Sequence, residues 1–322
     1  MTEYNFFVVL CFLVSLRQRG SGAAGIVNVG FECARMEYIM NSGGRDGRGQ
    51  NNKETDDRAI ALFDSGMGGL TCVKALERQL PGESIIYYGD CLRAPYGDRS
   101  VETLKVFSRQ IADFLTSFPV KMLVVACNTI SSLCLGNLKD RYPTLPVVGM
   151  IDMTVKAVAG TYSDWNIGLI ATSAAIKSGV YEKKLRESGC KGEIYPLACP
   201  SFVPAVEAGI YEGPQAEAIV RDALDEYMGR NKPSALILGC THFPFLRPAI
   251  EKLYPSVLII DPAEIVARGI KNMIEDHTLA AGSGADVQQN FYTSKLTDAY
   301  AQAVKEISEN GGNEIKVKVF GE

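Results

Sequence analysis

Two short apolar runs, each ending in a cysteine and two polar residues, constrain this chain more than any other feature. They are Met122-Leu-Val-Val-Ala-Cys127-Asn128-Thr129 and Ala235-Leu-Ile-Leu-Gly-Cys240-Thr241-His242. Each run is aliphatic throughout, does not alternate, and stops at turn-forming residues, the pattern of a strand buried on both faces of a parallel sheet. Ligands in open α/β sheets sit at the carboxyl ends of such strands. Two thiols at two strand ends are therefore placed to face each other across one cleft, an arrangement for chemistry on both faces of a single carbon.

Strand and helix patterns alternate from Ile60 onward. Strands are expected over 60–63, 84–88, 122–126 and 146–149, with helices over 70–79, 101–118 and 129–141. A second cycle opens with a strand in Asn166-Ile-Gly-Leu-Ile-Ala171-Thr172-Ser173 and a helix running to residue 185. This parallels Ile60-Ala-Leu-Phe-Asp64-Ser65-Gly66, and in both cycles a cysteine strand follows at a similar interval. After the second cysteine come a strand at 257–261, a helix at 262–275, a Gly- and Ala-rich loop at 280–289, a strand at 291–293 and a helix at 296–309. Alternation at this spacing predicts an α/β chain of two pseudo-symmetric, doubly wound (flavodoxin-like) parallel-sheet lobes with the active site at their interface. The first lobe is expected to comprise 58–152 plus 260–322, and the second 153–259. The closing elements return to the first.

At 322 residues, two α/β units are the natural expectation. A net charge of −4, with no basic stripe carrying interleaved aromatics, argues against nucleic acid as a partner. Nine cysteines, an odd count without a C-x-x-C pair, fit reduced thiols in the cytoplasm rather than a disulfide framework or a thiol oxidoreductase. Two histidines exclude a His-rich metal centre; no metal is expected, zinc on scattered cysteines being the weaker alternative. The apolar stretch 6–16 is too short to span a bilayer and lacks the basic flank of an export signal. Residues 41–58 are rich in Gly, Asn and charge, so 1–57 reads as a disordered extension outside the fold, with Met36 and Met40 as alternative starts.

Several turns carry candidate chemistry. Asp64-Ser65-Gly66-Met67-Gly68-Gly69 lies at a strand-to-helix turn whose amides suit an anion; the plain alternative is a glycine-rich turn capped by Asp64. Asp90 with Ala94-Pro95-Tyr96-Gly97 forms a second loop after a strand, either anion-receiving or an ordinary turn. Cys127 stands at a helix start, which is expected to favour its thiolate. His242 lies two residues after Cys240 and is placed to accept a proton or polarise that thiol. Glu207 is a site carboxylate or a solvated helix residue. Cys72, Cys91, Cys134, Cys190 and Cys199 lack such a context and read as packing residues.

Taken together, Asp-Ser-Gly-x-Gly-Gly, Gly-Asp…Pro-Tyr-Gly, Ala-Cys-Asn-Thr, Ala-Cys-Pro…Val-Glu and Gly-Cys-Thr-His-Phe-Pro, in this order, closely resemble bacterial glutamate racemase, a member of the aspartate/glutamate racemase superfamily. The resemblance runs from about Arg58 to the C-terminus. It implies interconversion of L- and D-glutamate without a cofactor, supplying D-glutamate for peptidoglycan synthesis in the cytoplasm. It further implies that Cys127 takes the α-proton of the D-enantiomer and Cys240 that of the L-enantiomer, with Asp64 assisting Cys127 and with His242 and Glu207 on the Cys240 side. Ser65, Pro95, Tyr96, Gly97, Asn128, Thr129, Thr172 and Thr241 match substrate contacts. The expected partner is the small-molecule substrate, with no membrane, and a homodimer is compatible. Rival readings are a racemase of aspartate or a hydantoin, and a non-catalytic amino-acid-binding regulatory protein, for instance one that touches DNA gyrase. Aspartate racemases tend to carry Glu where His242 stands, and two intact cysteines argue against lost catalysis.

Overall fold

The computed structural model describes residues 55–276, 279–307 and 314–321. The apolar stretch 6–16, most of the expected extension, and His277 lie outside the described residues. The fold opens with β1 (Ala59–Asp64), α1 (Leu70–Gln79), β2 (Ile85–Gly89), α2 (Val101–Leu115) and β3 (Val120–Val125). Two short helices, α3 (Asn128–Leu133) and α4 (Leu135–Arg141), then lead to β4 (Val147–Gly149). The α5 helix (Met150–Tyr162) connects to β5 (Ile167–Ala171), α6 (Ser173–Ser178), α7 (Val180–Glu187) and β6 (Ile194–Ala198). Next come α8 (Phe202–Glu207), α9 (Gly213–Asn231), β7 (Ala235–Gly239), a 3-10 turn (Phe243–Leu246), α10 (Arg247–Leu253) and β8 (Leu258–Ile260). The described chain ends with α11 (Pro262–Asp276), β9 (Gln289–Thr293), α12 (Asp298–Ile307) and β10 (Ile315–Val317).

The strands form two parallel sheets. The first is ordered β10-β9-β2-β1-β3-β4 and the second β6-β5-β7-β8. In each, a cysteine-delivering strand lies beside the strand that opens its cycle: β3 pairs with β1, and β7 with β5. The last strands, β9 and β10, rejoin the first sheet beside β2.

Strand residues are buried on both faces, with period-two assignment to different cores. Ile60 and Leu62 of β1, with Leu236 and Leu238 of β7, belong to one continuous core that spans both sheets. Ala61 and Phe63 turn to the opposite face of the first sheet, under α2. Ile167, Leu169, Ala235 and Ile237 turn to the outer face of the second, with Leu185 and Val155. Because one core is shared, the two sets of strand ends are fixed relative to each other by side-chain packing.

The structure departs from the sequence expectations in several places. The single helix expected over 129–141 is interrupted at Cys134, whose φ of −128° is not helical. The helix expected to run to 185 is two helices joined at Gly179, at φ 63°, a left-handed cap that glycine adopts at no steric cost. The strand β6 contains Pro196, which is tolerated because β6 is an edge strand.

Folded structure also begins before Arg58. The amide of Asp56 donates to Ala280 O (3.0 Å), and Gly282 N donates to Asp57 Oδ1 (2.8 Å). Lys121, whose side chain is fully buried, donates to Asp56 O (2.6 Å) and Leu279 O (2.8 Å) and forms an ion pair with buried Glu83. That pair pins the entry segment and the 279–282 loop to the amino-terminal edge of the first sheet. Removing one partner of a buried pair strands the other charge and costs about 3–5 kcal/mol. Glu83→Gln is accordingly expected to lower the urea unfolding midpoint by a loss of that size. A midpoint within error of wild type would show that the pair carries no stability.

Candidate active site

The carboxyl ends of β1, β3, β5 and β7 converge on one narrow cleft of about 70 Å³. Cys127 and Cys240 both line it, with Ser65 from the β1 turn, Pro95, Tyr96 and Gly97 from the β2 loop, Asn128 and Thr129 after β3, Thr172 after β5, and Thr241 and His242 after β7. Asp64 and Glu207 do not line the cleft but stand directly behind residues that do.

Asp64 is fully buried. Its Oδ2 accepts from Gly66 N (3.1 Å) and Gly69 N (3.0 Å), and its Oδ1 accepts from the Thr241 hydroxyl (3.0 Å). Glu207 Oε1 takes the Met67 amide at 3.1 Å. Of the two readings of this turn, an anion site or a glycine-rich turn capped by Asp64, the structure shows the capped turn: the amides of Gly66, Met67 and Gly69 are occupied by the protein's own carboxylates. Burial raises the Asp64 carboxyl above its ordinary range, against the charge of His242 and these donors.

The two thiols sit in different surroundings. Cys127 caps α3, and the Ile130 amide and Ser65 hydroxyl both stabilise charge on its sulfur. The expected lowering of this thiol does not occur: burial first, and then the charge of Asp64, push it well up. Desolvation outweighs the helix end because a thiolate loses more on leaving water than one short helix returns.

Cys240 Sγ lies 3.8 Å from His242 Nδ1, and His242 Nε2 lies 2.6 Å from Glu207 Oε1. Burial opposes a charged imidazole, yet the hydrogen bonds and charges of Cys240 and Glu207 raise His242 well above its ordinary value. In Glu207, burial is outweighed by His242, and the carboxyl is lowered. Both shifts favour an imidazolium–carboxylate pair. Glu207 is therefore held against His242 and the Met67 amide and is not a solvated helix residue. Beneath the pair, Phe202 of α8 and Phe243 of the 3-10 turn meet edge-on at 5.0 Å, fixing the two elements that carry Glu207 and His242.

Glycine at 66 and 68 permits this close approach. A Cβ on Gly66 would collide with Glu207 Oε1, and one on Gly68 with the His242 ring and the Thr241 hydroxyl. Thr129 Oγ1 and Thr172 Oγ1 meet at 3.0 Å across the cleft, and Thr172 also caps α6 by accepting from Ala175 N (3.3 Å).

Sequence reasoning omitted Asp98, Ser173, Cys199, Pro200, Val203 and Pro204 from the lining. Cys199, read as packing alone, forms part of the cleft wall although its side chain is almost wholly covered. Its place just after β6 was the available signal, obscured by the proline in that strand. Among the described residues, no cluster of His, Cys, Asp and Glu is arranged to hold a metal ion, and no helix is long and apolar enough to cross a membrane.

Comparison with known proteins agrees with this geometry. The Asp/Glu/Hydantoin racemase family model matches residues 67–270. The glutamate racemase of Carboxydothermus hydrogenoformans is 40% identical over 235 residues, which cover 73% of this chain and 86% of that protein. Among solved structures, glutamate racemase from Francisella tularensis in complex with D-glutamate matches with a TM-score of 0.74 at 32% identity, covering 82% of this chain and 98% of that one. Glutamate racemase from Thermus thermophilus in complex with β-chloro-D-alanine matches with a TM-score of 0.71 at 34% identity, covering 83% and 98%. The chain belongs to the Asp/Glu/Hydantoin racemase family and is an isomerase, an amino-acid racemase of the glutamate racemase kind.

Proposed function

We propose that this racemase interconverts L- and D-glutamate by a two-base mechanism, with Cys240 and Cys127 acting on opposite faces of Cα and no cofactor. The observation that carries the reading is the delivery of both sulfurs to one cleft by equivalent strands of two sheets. The D-glutamate bound by the Francisella tularensis relative supports the choice of substrate. In the L-to-D direction, Cys240 as thiolate takes the α-proton, the electron pair stays on Cα and its carboxylate, and the Cys127 thiol delivers a proton from the far side. The reverse reaction exchanges the two roles. Both sulfurs are covered by protein, so substrate entry strips water from the reacting groups and strengthens every electrostatic contact there. Ser65, Asn128 and the Thr129–Thr172 pair supply side-chain donors for the substrate carboxylates and for charge developing on the α-carboxylate, and Thr241, whose hydroxyl proton goes to Asp64, lines the substrate beside them. The loop of Pro95, Tyr96 and Gly97 closes one side. His242, backed by Glu207, manages the proton on Cys240. Asp64 acts on Cys127 through its charge and on the Cys240 strand through Thr241. In the cell, the reaction supplies D-glutamate to peptidoglycan synthesis in the cytoplasm.

A coupled assay for D-glutamate tests the mechanism. Cys127→Ser and Cys240→Ser are each expected to lose about 10²–10⁴-fold in kcat, the worth of one positioned acid–base group. Full activity in either variant would end the two-base scheme.

The His242–Glu207 pair gives a second prediction, read as stability against pH. Lowered Glu207 contributes stability above its unfolded value of 4.5, lost as pH falls through the folded one. Raised His242 contributes stability below 6.5, lost as pH rises through its own folded value. The difference in Tm between wild type and Glu207→Gln is therefore expected to be largest between pH 4.5 and 6.5 and to shrink on either side. A pH-independent difference would show that the two groups do not form an ion pair.

A further inference from the structure

Asn128 carries an unfinished hydrogen-bond inventory. Its side chain is almost completely buried, it lines the cleft, and its Nδ2 has no partner among the described residues. Its Oδ1 is engaged from behind, accepting from the Tyr181 hydroxyl at 2.9 Å. Tyr181 lies on α7, packed in the outer core of the second sheet, whereas Asn128 follows β3 of the first. The tyrosine is fully buried and does not line the cleft.

We propose that Tyr181 is a positioning residue for substrate recognition, its hydroxyl holding the Asn128 amide so that the NH₂ group faces the cleft as a donor to a substrate carboxylate. The inference rests on the amino-acid racemase reading of the site given above. An amide turned by 180° would present Oδ1 to the incoming carboxylate, lone pair against anion. A hydroxyl that donates to Oδ1 selects the other orientation, because an acceptor is what it requires. Nearby Thr154 spends its own hydrogen on Met150 O (2.7 Å) and does not compete as a donor for Oδ1. Burial pushes the Tyr181 phenol far up, so it keeps its proton throughout the working pH range. Buried polar groups in native structures are paired, and an orphan donor on a cleft wall marks the place where a ligand atom completes the set. The bond also crosses from one sheet to the other, so the amide is aimed only when the cleft is assembled.

The test is steady-state kinetics with both glutamate enantiomers on the full chain, comparing wild type, Tyr181→Phe, Asn128→Ala and the double variant. Loss of one neutral hydrogen bond should raise KM about tenfold in both directions in Tyr181→Phe. The accompanying change in kcat should stay below about threefold, since the donor serves ground and transition states alike. In the Asn128→Ala background the same substitution should change KM by less than about twofold, because the group it aims is gone. A wild-type KM in Tyr181→Phe, or an equal rise in both backgrounds, would overturn the proposal. If Tyr181→Phe does not fold, Asn128→Asp decides: it keeps the acceptor for Tyr181 but has no NH₂, and should fail to saturate with glutamate. A wild-type KM for Asn128→Asp would overturn the proposal equally. Absence of glutamate racemisation by the wild-type chain would instead refute the functional reading, and the wild-type assay reveals that before any variant is compared.

Discussion

One buried carboxylate organises the site. Asp64 ends β1 with no exposure to water, and its oxygens hold two turns from different sheets: Gly66 and Gly69 on its own loop, and Thr241 beside the second cysteine. A buried ionisable group with this many donors is costly to move, because any displacement leaves it desolvated and unpaired. The loop it braces is held a second time by the Tyr87 hydroxyl, which donates to Gly66 O at 2.7 Å. The Cys240 side of the cleft is positioned against this loop. Glu207 is anchored by the Met67 amide, His242 by Glu207, and Cys240 faces His242.

From that brace follows the inequality of the two thiols. The fold repeats its plan, with a cysteine strand beside an opening strand in each sheet. Equivalent positions on the opening strands, however, carry different residues. At the end of β1 stands Asp64, whose charge opposes thiolate formation at Cys127. The corresponding end of β5 presents Thr172, a neutral cap. Among the described residues, the imidazole–carboxylate pair stands on the Cys240 side. In the two-base scheme proposed above, one sulfur starts each turnover protonated and the other ionised, and unequal surroundings make the two sulfurs distinct.

The parallel strands that hold the site were legible in the sequence because their apolar runs are continuous and end in polar turns. Elements whose signal conflicts with their environment were not. Pro196 sits inside β6, and only the edge position of that strand reconciles the two. The long α9 helix has apolar residues at helical spacing (Ala216, Val220, Leu224), yet no element was expected over 213–231, where Gly213 and Pro214 stand at its start. Within the site, residue identities at strand ends were readable, but pairings between distant positions were not. Spacing alone does not tell whether Glu207 meets solvent or His242, or that Tyr181 reaches Asn128 from a neighbouring helix. The glycines at 66 and 68 left open either amides awaiting an anion or a turn capped by Asp64, and the fold has the capped turn. In the fold, their lack of a Cβ makes room for side chains arriving from the other sheet.

That outcome bears on the substrate binding proposed above. With three amides of the glycine loop already committed, such binding would depend on side-chain donors lining the cleft: the hydroxyls of Ser65, Thr129 and Thr172 and the Asn128 amide. Hydroxyls rotate and amides flip, so each must be oriented by a neighbour to act as a preformed donor. Thr129 and Thr172 are oriented by each other and Asn128 by Tyr181, while Thr241 spends its hydroxyl proton on Asp64. All three links run between the two sheets or their flanking helices, so this hydrogen-bonded set exists only in the assembled pair. Neither sheet alone would present a donor set of fixed direction, and in the two-base scheme proposed above a carbanion formed between the thiols would then lack the oriented dipoles that make its charge tolerable.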